Sequence, residues 1–140
     1  MNKSQIFMWM AVIAMIGTGL VHTIDAPHSF SEAAYKGWLF YANALGSVLA
    51  LVGIFSRREW GWTLGLLIAA GSIVAYVASR TVGLPQIPAE PDAWLEPLGV
   101  AALLAEGLFV AMFVMRRHAS RSSQLIVDFT PPSPPRRFSS

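Results

Sequence analysis

Four long apolar runs constrain this chain more than any other feature: about residues 6–23, 37–55, 62–80 and 95–115. About 20 apolar residues make a helix long enough to cross the hydrocarbon core of a bilayer. In lipid, backbone N–H and C=O groups must be satisfied within the spanning element, and a helix does this locally. The runs therefore predict an all-α, four-helix transmembrane bundle in up-down-up-down order. Composition supports this, because only 13% of residues are charged, against about 25% in soluble domains. Mean hydropathy is +0.51. Lys3 ahead of the first run would also suit a cleaved signal peptide, but no small-x-small site follows it.

Charge predicts the orientation. Lys3 precedes the first run, Arg57 and Arg58 separate the second and third, and Arg116, Arg117 and Arg121 follow the fourth. With four spans these positions share one side, which the positive-inside rule makes cytoplasmic, together with both termini. The opposite connections, "HTIDAPHSFSEAAYK" and "RTVGLPQIPAEPDAW", are net acidic. Trp9, Trp38, Trp60, Trp62 and Trp94 fall near span ends, where aromatic anchors are expected. The expected locale is a bacterial cytoplasmic membrane. Residues 1–121 would form the bundle. Residues 122–140, with "PPSPP", read as a disordered tail in which a polyproline helix is the favoured local form.

Polar residues inside the runs carry the functional signal. Glu106 is roughly 16 Å into the fourth run at ~1.5 Å per residue, near the midplane. A carboxylate at that depth costs about 2.5–3.5 kcal/mol on insertion scales and usually faces the bundle interior. It is either a protonated acid bonding a neighbouring helix, or a proton, cation or ligand site. Arg80, Tyr76, Asn43 and His22 also lie in the outer half or near the middle, and Ser72 and Thr18 extend two of their faces. The inner half is nearly all apolar. This asymmetry predicts a polar pocket opening outward with Glu106 at its floor, coupled to Arg80 through Tyr76, Asn43 or water. Alternatively Arg80 snorkels to the headgroups.

The segment "HTIDAPH" and its continuation place His22, Asp25, His28 and Glu32 on the outer side. Imidazole and carboxylate ligands suit a divalent metal, though Pro27 is expected to interrupt any helix aligning them. The other reading is a polar loop, with Ser29 or Ser31 capping the next helix. His118 lies at the opposite face from His22, which argues against a bis-histidine haem within one chain. The chain has no cysteine, which removes disulfides and thiolate sites. It has no phosphate loop, no G-x-S-x-G and no H-E-x-x-H. Nor does it carry the basic, aromatic-interleaved face of a nucleic-acid binder.

"YVASRTVGLP" followed by "WLEPLGVAALLAE", with "GLVH…APHSFSEAAYKGWLF" in the first half, resembles uncharacterised small four-span bacterial integral membrane proteins. The resemblance implies that Arg80, Glu106 and His22 sit in recurring stretches, and it implies no activity. The expected role is a small binding, transport-related or accessory component in contact with lipid, as a homo-oligomer or in a larger membrane complex. Two other roles are open: a metal- or quinone-linked redox component using His22, His28 and nearby carboxylates, and an assembly subunit whose polar groups only fix helix register.

Overall fold

The computed structural model describes residues 2–128. Four helices occupy this stretch: α1 (Lys3–Glu32), α2 (Ala34–Phe55), α3 (Glu59–Thr81) and α4 (Pro97–Asp128). Each is long and apolar enough to cross a membrane, and the protein is a multi-pass membrane protein with the expected four-helix architecture. The helices form a ring in which α1 packs on α2 and α4, and α3 packs on the same two. One end of the bundle holds the N-terminus and the α2–α3 turn and is called the termini end. The other holds the α1–α2 junction and the long 82–96 connection and is called the strap end.

α1 departs most from expectation. It does not stop near residue 23 but continues through Pro27 to Glu32. The reason lies in its buried positions: Ala11, Met15, Thr18, His22, Ala26, Ser29 and Ala33 recur at three- and four-residue steps. That helical stripe passes straight across Pro27, which lies on the exposed face. A proline removes one backbone bond and usually costs about 3 kcal/mol in a helix interior. Here packing of the stripe offsets the loss, as neighbouring helices do for prolines in membrane bundles. At its start, α1 is closed by a reciprocal cap. Asn2 Oδ1 accepts from the Gln5 N–H at 2.9 Å, and the Asn2 N–H donates to Gln5 Oε1 at 3.0 Å.

Only Ala33, extended at φ −158° and ψ 135°, separates α1 from α2. Neither Ser29 nor Ser31 caps α2. Ser29 is buried, and the Ser31 hydroxyl donates back to the His28 carbonyl at 2.6 Å. The Phe30 ring lies directly over Gly37, where a Cβ would sit 2.3 Å from it. The α2–α3 turn is equally tight, because Gly53 and Gly61 pack backbone to backbone and a Cβ on Gly53 would meet the Gly61 Cα at 2.5 Å. Small residues thus set helix proximity, as expected where lipid supplies no hydrophobic drive between helices.

The termini half has a hydrophobic core of Ala11, Met15, Ile54, Trp62, Phe109 and Met112. Phe109 inserts against Gly65, leaving no room for a side chain there. Trp62 is 5% exposed and belongs to this core, in contrast to its expected place as an interfacial anchor. It stacks under the Arg116 guanidinium at 4.6 Å. Trp9, Trp38, Trp60 and Trp94 remain exposed. α4 runs past the tail boundary expected at 121, as far as Asp128. The remainder of the expected tail, 129–140, lies outside the described residues.

Candidate functional site

All four helices contribute to a polar cluster toward the strap half. On α1, His22 Nδ1 lies 2.9 Å from the Thr18 carbonyl one turn earlier. A carbonyl can only accept, so Nδ1 carries a proton and donates it. This fixes the ring and aims Nε2 across the bundle at Glu106 of α4, 3.7 Å from its Oε1. The two groups are 6% and 1% exposed. Phe40 of α2 presents an edge contact to the imidazole at 4.8 Å between centroids.

The other side of Glu106 is reached by a directed chain of donors. Ser47 Oγ–H donates to Asn43 Oδ1 at 3.5 Å, and the Asn43 amide donates to Ser72 Oγ at 2.6 Å. Ser72 in turn stands beside the Glu106 carboxyl, close enough to interact with it. Glu106 thus has Ser72 of α3 on one side, while its Oε1 faces an imidazole nitrogen that carries a proton only when His22 is charged. Chemically the pair can hold one proton in either of two places, or release it. On Glu106 it gives a neutral acid beside a neutral imidazole, and on His22 Nε2 it gives an ion pair. The gap exceeds hydrogen-bond length, so Glu106 Oε1 has no hydrogen-bond partner, and neither does the buried Thr18 Oγ1.

The structure separates residues that the sequence reading joined. Glu106, Asn43 and His22 share the buried cluster. Arg80 and Tyr76 do not belong to it, which corrects the expected coupling of Glu106 to Arg80. The Arg80 guanidinium turns to the strap, pairing with Glu90 and, at 2.7 Å, with Glu96. It stacks over the Tyr76 ring at 4.9 Å, and the Tyr76 hydroxyl donates to the Trp94 carbonyl at 2.9 Å. The snorkelling alternative is also displaced, because Arg80 is only 6% exposed. Further bonds close the connection: Tyr35 Oη–H to the Pro85 carbonyl at 2.6 Å, and the Glu90 N–H to the Ser79 carbonyl at 3.0 Å. Gly83 and Gln86 adopt positive φ to make the turn that pairs Leu84 with Ile87. Glu106 is thus enclosed and does not form the floor of an open pocket.

The loop quartet is likewise divided. Pro27 does not break α1, so His22, Asp25, His28 and Glu32 all ride on one helix. Six residues at about 100° each put His22 and His28 on different faces. His22 points inward, whereas the His28 side chain is 67% exposed and lies 3.6 Å from Glu32, which also bonds Lys36 at 2.6 Å. Among the described residues, no three His, Asp or Glu side chains gather as a metal-binding set. The sequence reading missed Ser47 and the two glutamates that hold Arg80. Ser47 gave no signal beyond its spacing from Asn43. Glu90 is legible only as an acidic residue of the connection, and Glu96 only as an acid suited to the positive end of the fourth helix beside Pro97.

Comparison with protein-family models, with curated proteins and with solved structures finds no match to this chain. The functional reading therefore rests on the cluster itself.

Proposed function

We propose that this protein is a proton-responsive binding or transport-related component of a bacterial cytoplasmic membrane, acting alone as a homo-oligomer or within a larger membrane complex. The observation that carries this reading is the opposition of His22 Nε2 and Glu106 Oε1 across α1 and α4, 3.7 Å apart and shielded from solvent. Intramembrane ionisable residues that face a bundle interior commonly serve proton or substrate pathways, and imidazole is the side chain whose charge changes nearest neutral pH. Moving the shared proton changes the charge pattern at the centre of the bundle. That change can bias how α1 and α4 pack, which is how a ligand or partner would sense it.

The positive-inside pattern supports cytoplasmic termini. In intact cells, Gln86→Cys is expected to react with an impermeant thiol reagent and Ser56→Cys is not. The reverse pattern would invert the orientation.

The proton site is tested by infrared difference spectroscopy of the protein in lipid between about pH 5 and 8. A protonated-carboxyl band is expected to change across that range, to vanish in Glu106→Gln, and to move its midpoint in His22→Gln. A band that stays constant with pH in the wild type would leave the cluster as a device for fixing helix register.

A further inference from the structure

A second site lies at the termini end, away from the His22–Glu106 cluster. A cavity of about 390 Å³ opens there between the start of α1, the α2–α3 turn and the end of the α4 span. It is lined by Arg57, Arg116, Asn2, Ser4 and Gln5 together with Met8, Ile54 and Trp62, the last two only 1% and 5% exposed. Arg116 is already held, bonded to Glu59 at 3.0 Å and stacked over Trp62. Arg57 forms no ion pair with any described residue, and its backbone sits at φ +55°, a left-handed conformation uncommon for a side-chain-bearing residue. That conformation is fixed by the turn, since the Arg57 N–H bonds the Ile54 carbonyl at 3.0 Å and the Arg58 N–H bonds the Gly53 carbonyl at 2.9 Å. The turn thereby places the Arg57 side chain in the cavity lining.

Two arginines against one glutamate leave the rim one positive charge in excess. Below the rim the lipid-facing surface of α1 and α2 is apolar, with Trp9 and Phe55 46% and 54% exposed. A charged rim above an apolar surface, at the depth where the spans end, suits an amphipathic anion. The geometry points to a binding site for an anionic phospholipid, whose singly charged phosphodiester meets Arg57 and Arg116 while its acyl chains lie against that lipid-facing surface. Arginine is suited to this because its planar fork matches phosphate oxygens in pairs. Basic pockets between spans take anionic headgroups elsewhere for the same reason. This site is independent of the proton reading.

Native mass spectrometry of the full-length protein in detergent tests it with three probes: phosphatidylglycerol, phosphatidylcholine and inorganic phosphate. The protein is expected to retain phosphatidylglycerol well beyond phosphatidylcholine. Arg57→Gly is expected to lower that retention about tenfold, as loss of a charge-assisted bond would, with unchanged thermal stability, because glycine accepts the positive φ of this turn. Arg57→Gln, which keeps the side chain's bulk, is expected to lose retention as well. Arg58→Gln, one residue along but off the rim, is expected to bind like the wild type. Equal retention of the two lipids, or equal losses in Arg57→Gly and Arg58→Gln, would overturn the site. Inorganic phosphate binding as tightly as the lipid would overturn the role of the apolar surface.

Discussion

The two halves of the bundle are built on opposite rules. At the termini half, shape does the work: Phe109 fills the space that Gly65 leaves, and Met15, Ile54, Trp62 and Met112 close around it, with the Trp62 indole N–H the one polar side-chain group among them. At the strap half, direction does the work. Donors run from Ser47 through Asn43 to Ser72, which stands beside Glu106, and His22 is held in a single tautomer by a carbonyl. Burial in lipid gives little net hydrophobic drive between helices, so each half must hold its neighbours by other means. Close packing suffices where nothing has to change. A polar chain is needed where a charge can move.

The largest expected effect comes from the strap, and it is asymmetric. Arg80 is 6% exposed, whereas the Glu90 and Glu96 side chains are 49% and 42% exposed. Replacing both glutamates by alanine strands a buried cation, a loss of about 3–5 kcal/mol. Arg80→Met frees two carboxylates that already meet solvent, and is expected to cost no more than about 1–3 kcal/mol. Thermal unfolding in a fixed detergent measures both. An Arg80→Met loss as large as that of the double glutamate variant would mean the strap, not the arginine, bears the burial cost.

Next comes Gly65→Leu in the termini half. The added Cβ alone would stand 2.3 Å from the Phe109 ring. Overpacking of a close-packed site is expected to cost about 1–3 kcal/mol, and Phe109→Leu in the same chain is expected to recover part of it. Failure of that rescue would show that the Gly65–Phe109 contact is not what limits packing in this half.

The smallest expected effect tests whether the strap and the buried cluster are independent. Arg80→Gln and Glu106→Gln share no partner, so their stability changes are expected to add within about 0.3–0.5 kcal/mol. His22→Gln and Glu106→Gln face each other and are expected to deviate from additivity by about 0.5–3 kcal/mol. The opposite pattern would restore the Arg80–Glu106 link that the structure breaks.

Much of this architecture is readable from residue order. Four apolar runs specify four helices, and a lone glutamate in the last of them must find company inside. The end of α1 was misread because Pro27 was weighed locally, while the small residues Ala26, Ser29 and Ala33 on either side of it carry the helical spacing onward. Arg80's partners were hidden for a different reason. Glu90 and Glu96 reach it only after the 82–96 connection folds back, and that fold depends on non-local bonds such as Tyr35 to Pro85. Of the cluster, His22, Asn43, Ser72 and Glu106 could be nominated from their depth. Their order along a donor chain could not, because it depends on which helices are neighbours.

The single residue between α1 and α2 has a kinematic consequence. With only Ala33 joining them, these two helices have no slack to slide against each other and must travel as one rigid pair. The bridge to α3 and α4 is tight only at the termini end, where Gly53 and Gly61 meet backbone to backbone beside one short turn, while toward the strap half those helices meet α1 and α2 through side chains. Both polar contacts at the centre, His22 to Glu106 and Asn43 to Ser72, cross that boundary between pairs. A small rocking of one hairpin on the other would therefore open or close both contacts in the same stroke, so a proton arriving at the centre would act as a latch between two levers.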